Sequence, residues 1–152
     1  MLKKIALAAI VAIPFISIPS FAQSSGSSSS DEAIKVFMGA AVSCSEVVQQ
    51  SNYAAGSETD CVEVKRLLDT LINSSNPMSA RNKNYAIMSN LLVHQTIATT
   101  YAKIDGLGSP RGCTIVNQAR TIQYQYVNGV TVEADETMDK VITGIDDLAT
   151  KC

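Results

Sequence analysis

An all-α fold, an antiparallel bundle of about five helices held by two disulfides, is what three features of this sequence predict. Apolar residues recur at three- and four-residue spacings through most of the chain beyond Ser30. The breaks between these periodic runs carry Gly, Pro and capping Ser, the residues that start and stop helices. Cys44, Cys61, Cys113 and Cys152 form an even set behind an N-terminus that reads as an export signal, so two disulfides are expected.

The export signal is read from the first residues. MLKK supplies two lysines, IALAAIVAIPFISI is an apolar run interrupted by Pro14, and PSFAQ places Ser20 and Ala22 where signal peptidase favours small side chains. Residues 1–22 are therefore expected to be a secretory signal peptide. The apolar run is short for a bilayer span, and no cysteine follows the cleavage point to carry a lipid anchor. Residues 23–30, QSSGSSSS, are expected to be a flexible Ser-rich leader, and 31–152 a single helical domain of ordinary size. The address implied is the periplasm or the medium of a bacterium.

Charge narrows the partners. The chain has 12 Lys and Arg against 14 Asp and Glu, and loss of Lys3 and Lys4 with the signal makes the balance more acidic. An acidic surface disfavours nucleic acid and anionic membrane as partners, and no membrane insertion is expected after signal cleavage.

Each helix has its own signature. SSDE, Ser29 to Glu32, has the spacing of a capping box and opens a stripe of Ile34, Phe37, Met38, Ala41, Cys44 and Val48. Gly56 and Ser57 make a turn, and a second helix begins near Glu58 with Cys61, Val64, Leu68, Leu71 and Ile72 on one face. After the loop NSSNP, Ser79 caps a long third helix whose stripe is Ile87, Leu91, His94, Ala98 and Tyr101, widened by Met88 and Leu92. That helix stops at Asp105-Gly106, with glycine as a left-handed cap. Ser109-Pro110 pairs an N-cap with a first-turn proline and starts a fourth helix carrying Ile115, Ala119, Ile122 and Tyr126. A fifth carries Ala134, Met138, Val141, Ile142, Ile145, Leu148 and Cys152, behind an acidic first turn of Glu133, Asp135 and Glu136 that suits the positive end of a helix.

QYVNGVTV, Gln125 to Val132, is the ambiguous stretch, because Asn-Gly between β-branched and aromatic residues is also the signature of a two-residue hairpin. A hairpin would leave an open sheet edge for a partner. Its register, however, sets Tyr126 opposite Thr131 and Tyr124 opposite Glu133, mixing an aromatic face with a polar one. The reading taken is a helix stop, with Gly129 left-handed and Thr131 capping the next helix.

Helix order then selects the disulfide pairing. Cys44 and Cys61 flank the Gly56 turn of the first helix pair, while Cys113 and Cys152 lie at one end of the last pair, away from the Asn128-Gly129 turn. The expected bonds are Cys44–Cys61 and Cys113–Cys152.

Few constellations carry chemistry. His94, the lone histidine, sits on an apolar stripe with no metal-ligand or acid–base partner nearby in sequence, so a buried histidine with a local hydrogen bond is expected. The carboxylates of EADETMD and GIDD lack the alternation of a calcium loop. No GxSxG or SxxK nucleophile motif is present. GLGSPRG, Gly106 to Gly112, lacks the ending and the preceding strand of a phosphate loop and reads as a tight interhelical connection. Arg111 at its tip is a candidate partner contact, placed to bind a carboxylate. Neither a catalytic set, a cofactor site nor a metal site is expected.

The expectation is an exported, non-enzymatic protein-binding module acting on another envelope or exported protein. Small periplasmic inhibitors and immunity proteins of exported toxins share this plan of signal, helices and paired cysteines, an analogy of plan alone. The alternatives are an accessory subunit of an envelope or secretion assembly, and a small-ligand carrier or enzyme with an interhelical pocket that includes His94.

Overall fold

The computed structural model describes residues 28–75, 78–129 and 136–152. The chain forms five helices: α1 (Ser28–Gln50), α2 (Thr59–Ile72), α3 (Ala80–Asp105), α4 (Pro110–Gly129) and α5 (Glu136–Ala149). The expected signal peptide, leader residues 23–27, the expected cap at Thr131 and the acidic residues Glu133 and Asp135 lie outside the described residues. Helix α1 begins at Ser28, so it takes up three serines that the sequence reading assigned to the leader.

The starts and stops follow the local chemistry. Ser79 Oγ accepts a hydrogen bond from the Asn82 amide and caps α3. Ser109 Oγ accepts from the Gly112 amide, and Pro110 is the first residue of α4. Gly106 ends α3 at φ 94° and ψ 156°, positive as expected but outside the left-handed helical basin. Residues Gln125 to Gly129 are helical, so the Asn128-Gly129 pair ends α4 and does not turn a hairpin.

At the end of α1 the turn differs from expectation. Asn52 and Tyr53 adopt φ 55° and 60° ahead of Gly56, and the Tyr53 amide donates 2.8 Å to the Val48 carbonyl. Tyr53 accepts this unfavourable backbone because its ring packs against the core and receives the Lys103 ammonium 4.6 Å from its centroid.

Helix α3 is the axis of the bundle. It packs against all four other helices; beyond that, only α1 with α2 and α4 with α5 touch among the described residues. The molecule is thus two helical hairpins laid on opposite flanks of one central helix. One apolar cluster joins Ala41, Cys44, Val48, Cys61, Val64 and Leu68 to Val93 and Ile97 of α3. The other joins Ala119, Met138, Val141 and Ile145 to Ile87 and Leu91.

Each hairpin has its own staple. Cys44 bonds Cys61 and Cys113 bonds Cys152, with Cα atoms 5.3 and 5.5 Å apart, and no described cysteine is free. Such bonds belong to an oxidising, non-cytoplasmic location. No helix among the described residues is long and apolar enough to cross a membrane.

Candidate binding cleft between α2 and α4

Helices α2 and α4 both pack on α3 yet do not meet each other, and the gap between them is a cleft of about 360 Å³. Helical spacing dictates its lining. Lys65, Asp69, Ile72 and Asn73 recur at one-turn intervals along α2; Gln118, Thr121 and Ile122 do so on α4; Asn90 and His94, one turn apart on α3, form the floor.

A chain of hydrogen bonds runs from wall to floor. Lys65 Nζ donates 2.7 Å to Asp69 Oδ2, and Asn90 Nδ2 donates 2.8 Å to Asp69 Oδ1. Asn73 Nδ2 donates to the Asp69 carbonyl and closes that end of the wall. On the floor, His94 Nδ1 lies 2.8 Å from the Asn90 carbonyl oxygen. A carbonyl can only accept, so the ring proton is on Nδ1 and Nε2 presents a lone pair.

Two atoms of the floor are left over. His94 Nε2 and Asn90 Oδ1 are buried without a hydrogen-bond partner, although both residues are almost wholly enclosed, at 0% and 1% exposure. Burial pushes the His94 imidazole down to about 4, aided by the Lys65 charge and opposed by the Asn90 carbonyl and Asp69. The ring is therefore neutral near pH 7, and both orphaned atoms are hydrogen-bond acceptors.

His94 Nε2 has no hydrogen-bond partner among the described residues, and a ring with so low a proton affinity is a weak general base. Among the described residues no group of three His, Cys, Asp or Glu is placed to hold a metal ion.

Arg111 lies elsewhere, at the loop between α3 and α4. Its Nε and guanidinium nitrogen both reach Asp105 Oδ2 at 2.8 Å, and the guanidinium stacks 3.9 Å over the Tyr101 ring. The carboxylate this arginine was expected to attract is thus supplied by its own chain, although half of its side chain remains exposed.

His94 was legible as a singular residue; its companions were not. Lys65 and Asp69 stand one turn apart with opposite charges, and Asn90 stands one turn before His94 on an apolar stripe, which are the available hints. Comparison with protein-family models, with curated proteins and with solved structures found no match to this chain.

Proposed function

We propose that this protein is an exported, non-enzymatic binding module of the bacterial envelope, of the inhibitor or immunity type, acting on another exported or envelope protein. The observation that carries this reading is the cleft. It offers two buried acceptors without partners among the described residues, and one wall is held by an ion pair. Export to the periplasm or the medium is supported by the signal-like N-terminus and by both disulfides.

The test is capture from bacterial envelope extracts with tagged mature protein and with Thr121→Trp, which fills the mouth of the cleft from an exposed position. A stoichiometric soluble partner held by the wild type and lost by the variant supports the reading. A large membrane assembly in its place identifies an accessory subunit. Absence of any stoichiometric partner sinks both.

A second reading, a carrier of a small ligand, is favoured by the size of the cleft, which falls in the range of small-molecule sites. His94→Ala bears on the enzymatic form of that reading. An activity lost in a folded His94→Ala variant would replace binding by catalysis.

A further inference from the structure

We propose that the α2–α4 cleft is a receptor for a neutral primary carboxamide. This rests on the cleft being the binding site and names the group it takes.

The floor sets the polarity of the occupant. His94 Nε2 and Asn90 Oδ1 are both acceptors, enclosed and unpaired. A buried polar atom without a partner is costly, so the complementary group must donate hydrogen bonds, and two acceptors call for two donors. A carboxylate has none to give and would bring its lone pairs against two others.

The walls set its charge. Lys65 and Asp69 neutralise one another across 2.7 Å, so the cleft holds no uncompensated charge for an ion to pair with. An ammonium has donors in plenty, but both Asp69 oxygens are already taken, by Lys65 Nζ and by Asn90 Nδ2, so it would be buried beside the Lys65 cation with no carboxylate oxygen left to pair with. A neutral donor escapes both penalties.

Among neutral groups a primary carboxamide fits the remaining features. Its NH2 offers two donors to the floor. Its carbonyl needs a donor in return, and the Lys65 ammonium has three N–H bonds, of which Asp69 Oδ2 takes one. Ile72 and Ile122 supply apolar lining for the short carbon chain that bears the group.

The experiment uses the 15N-labelled mature protein and three small probes: propionamide, its isostere propionate, and propylammonium. Propionamide should shift the backbone amides of Asn90, His94 and Thr121 and bind at least tenfold more tightly than either ion. The response should vanish in Thr121→Trp, and it should weaken in His94→Leu, which removes the Nε2 acceptor. Should His94→Leu fail to fold, Thr121→Trp alone carries the test. Equal or stronger binding of an ion overturns the proposal, and so does the absence of any response in the folded wild type.

A competition arm separates the sources of the carboxamide. Release of a captured protein partner by excess propionamide places the group on an Asn or Gln side chain of that partner. Propionamide binding without such release places it on a free small molecule. Partner capture with no propionamide response defeats the proposal and leaves the protein-binding reading intact, whereas propionamide binding with no partner does the reverse.

Discussion

His94 Nδ1 stands 2.8 Å from the carbonyl oxygen of Asn90, one turn earlier on the same buried helix, and this bond holds the ring in a single neutral tautomer. The linked pH dependence has a definite sign. The ordinary histidine value is 6.5 and the folded one about 4, so below pH 6.5 the unfolded chain takes up a proton that the folded protein refuses. The contribution to stability is full above pH 6.5 and is lost as pH falls towards 4, by up to about 3 kcal/mol. Urea midpoints measured across that window should fall in the wild type more steeply than in His94→Gln. Equal slopes would mean that His94 titrates normally.

The two staples differ in access. Cys44 and Cys61 are buried at 5% and 0% exposure, whereas Cys152 is exposed at the end of the chain. Thiol attack needs an approachable sulfur, so mild reductant should open Cys113–Cys152 first. Differential alkylation followed by peptide mapping should find Cys113 and Cys152 labelled while Cys44 and Cys61 remain bonded. In the chain-entropy account the outer bond, closing a separation of 39 residues, contributes about 4 kcal/mol, and the inner one, closing 17, about 3 kcal/mol.

Gly108 lets the C-terminal segment lie against the α3–α4 loop. It adopts φ +78°, and a Cβ there would stand 2.6 Å from the backbone carbonyl oxygen of Lys151. Gly108→Ala should therefore strain both the loop and the segment that carries Cys152, costing about 1 to 3 kcal/mol. Thermal unfolding reads the loss, and Gly39→Ala, where a Cβ meets nothing within 4 Å, is the control expected to show no such loss.

The Arg111 clamp should be modest in energy. Arg111 and Asp105 are half and one-third exposed, so solvent screens the pair, while the Tyr101 ring adds a stacking contribution. A double-mutant cycle of Arg111→Ala with Asp105→Ala should give a coupling of about 0.5 to 1 kcal/mol. A coupling near zero would show Arg111 free to engage the carboxylate of a partner.

Much of the fold was open to reading because it depends on near neighbours. Ser79, Ser109 and Pro110 act through bonds within one turn, and the stripes of α2 and α5 follow the helical period. The disulfide pairing was equally accessible, since each bond joins neighbouring helices of one hairpin. The turn at Asn52-Tyr53 was hidden, because asparagine tolerates positive φ but tyrosine rarely does, and what favours it at Tyr53 is a ring packed against the core, a tertiary contact.

What the sequence by itself determined, then, is five helices, their approximate limits, their two staples and one unusual histidine. Only the tertiary structure decided that α3 is central and that a cleft opens above it. The physical reason lies in how α3 hides its second face. Thr96 and Thr100 donate to carbonyls one turn earlier, and Thr96 also meets Ser45 of α1. Hydroxyls satisfied in this way can be buried without looking apolar, so no hydrophobic period betrays them. Lys65, Asp69 and Asn90, ordinary polar residues in the chain, become a site only because α2 and α4 lie on either side of α3 without closing over it.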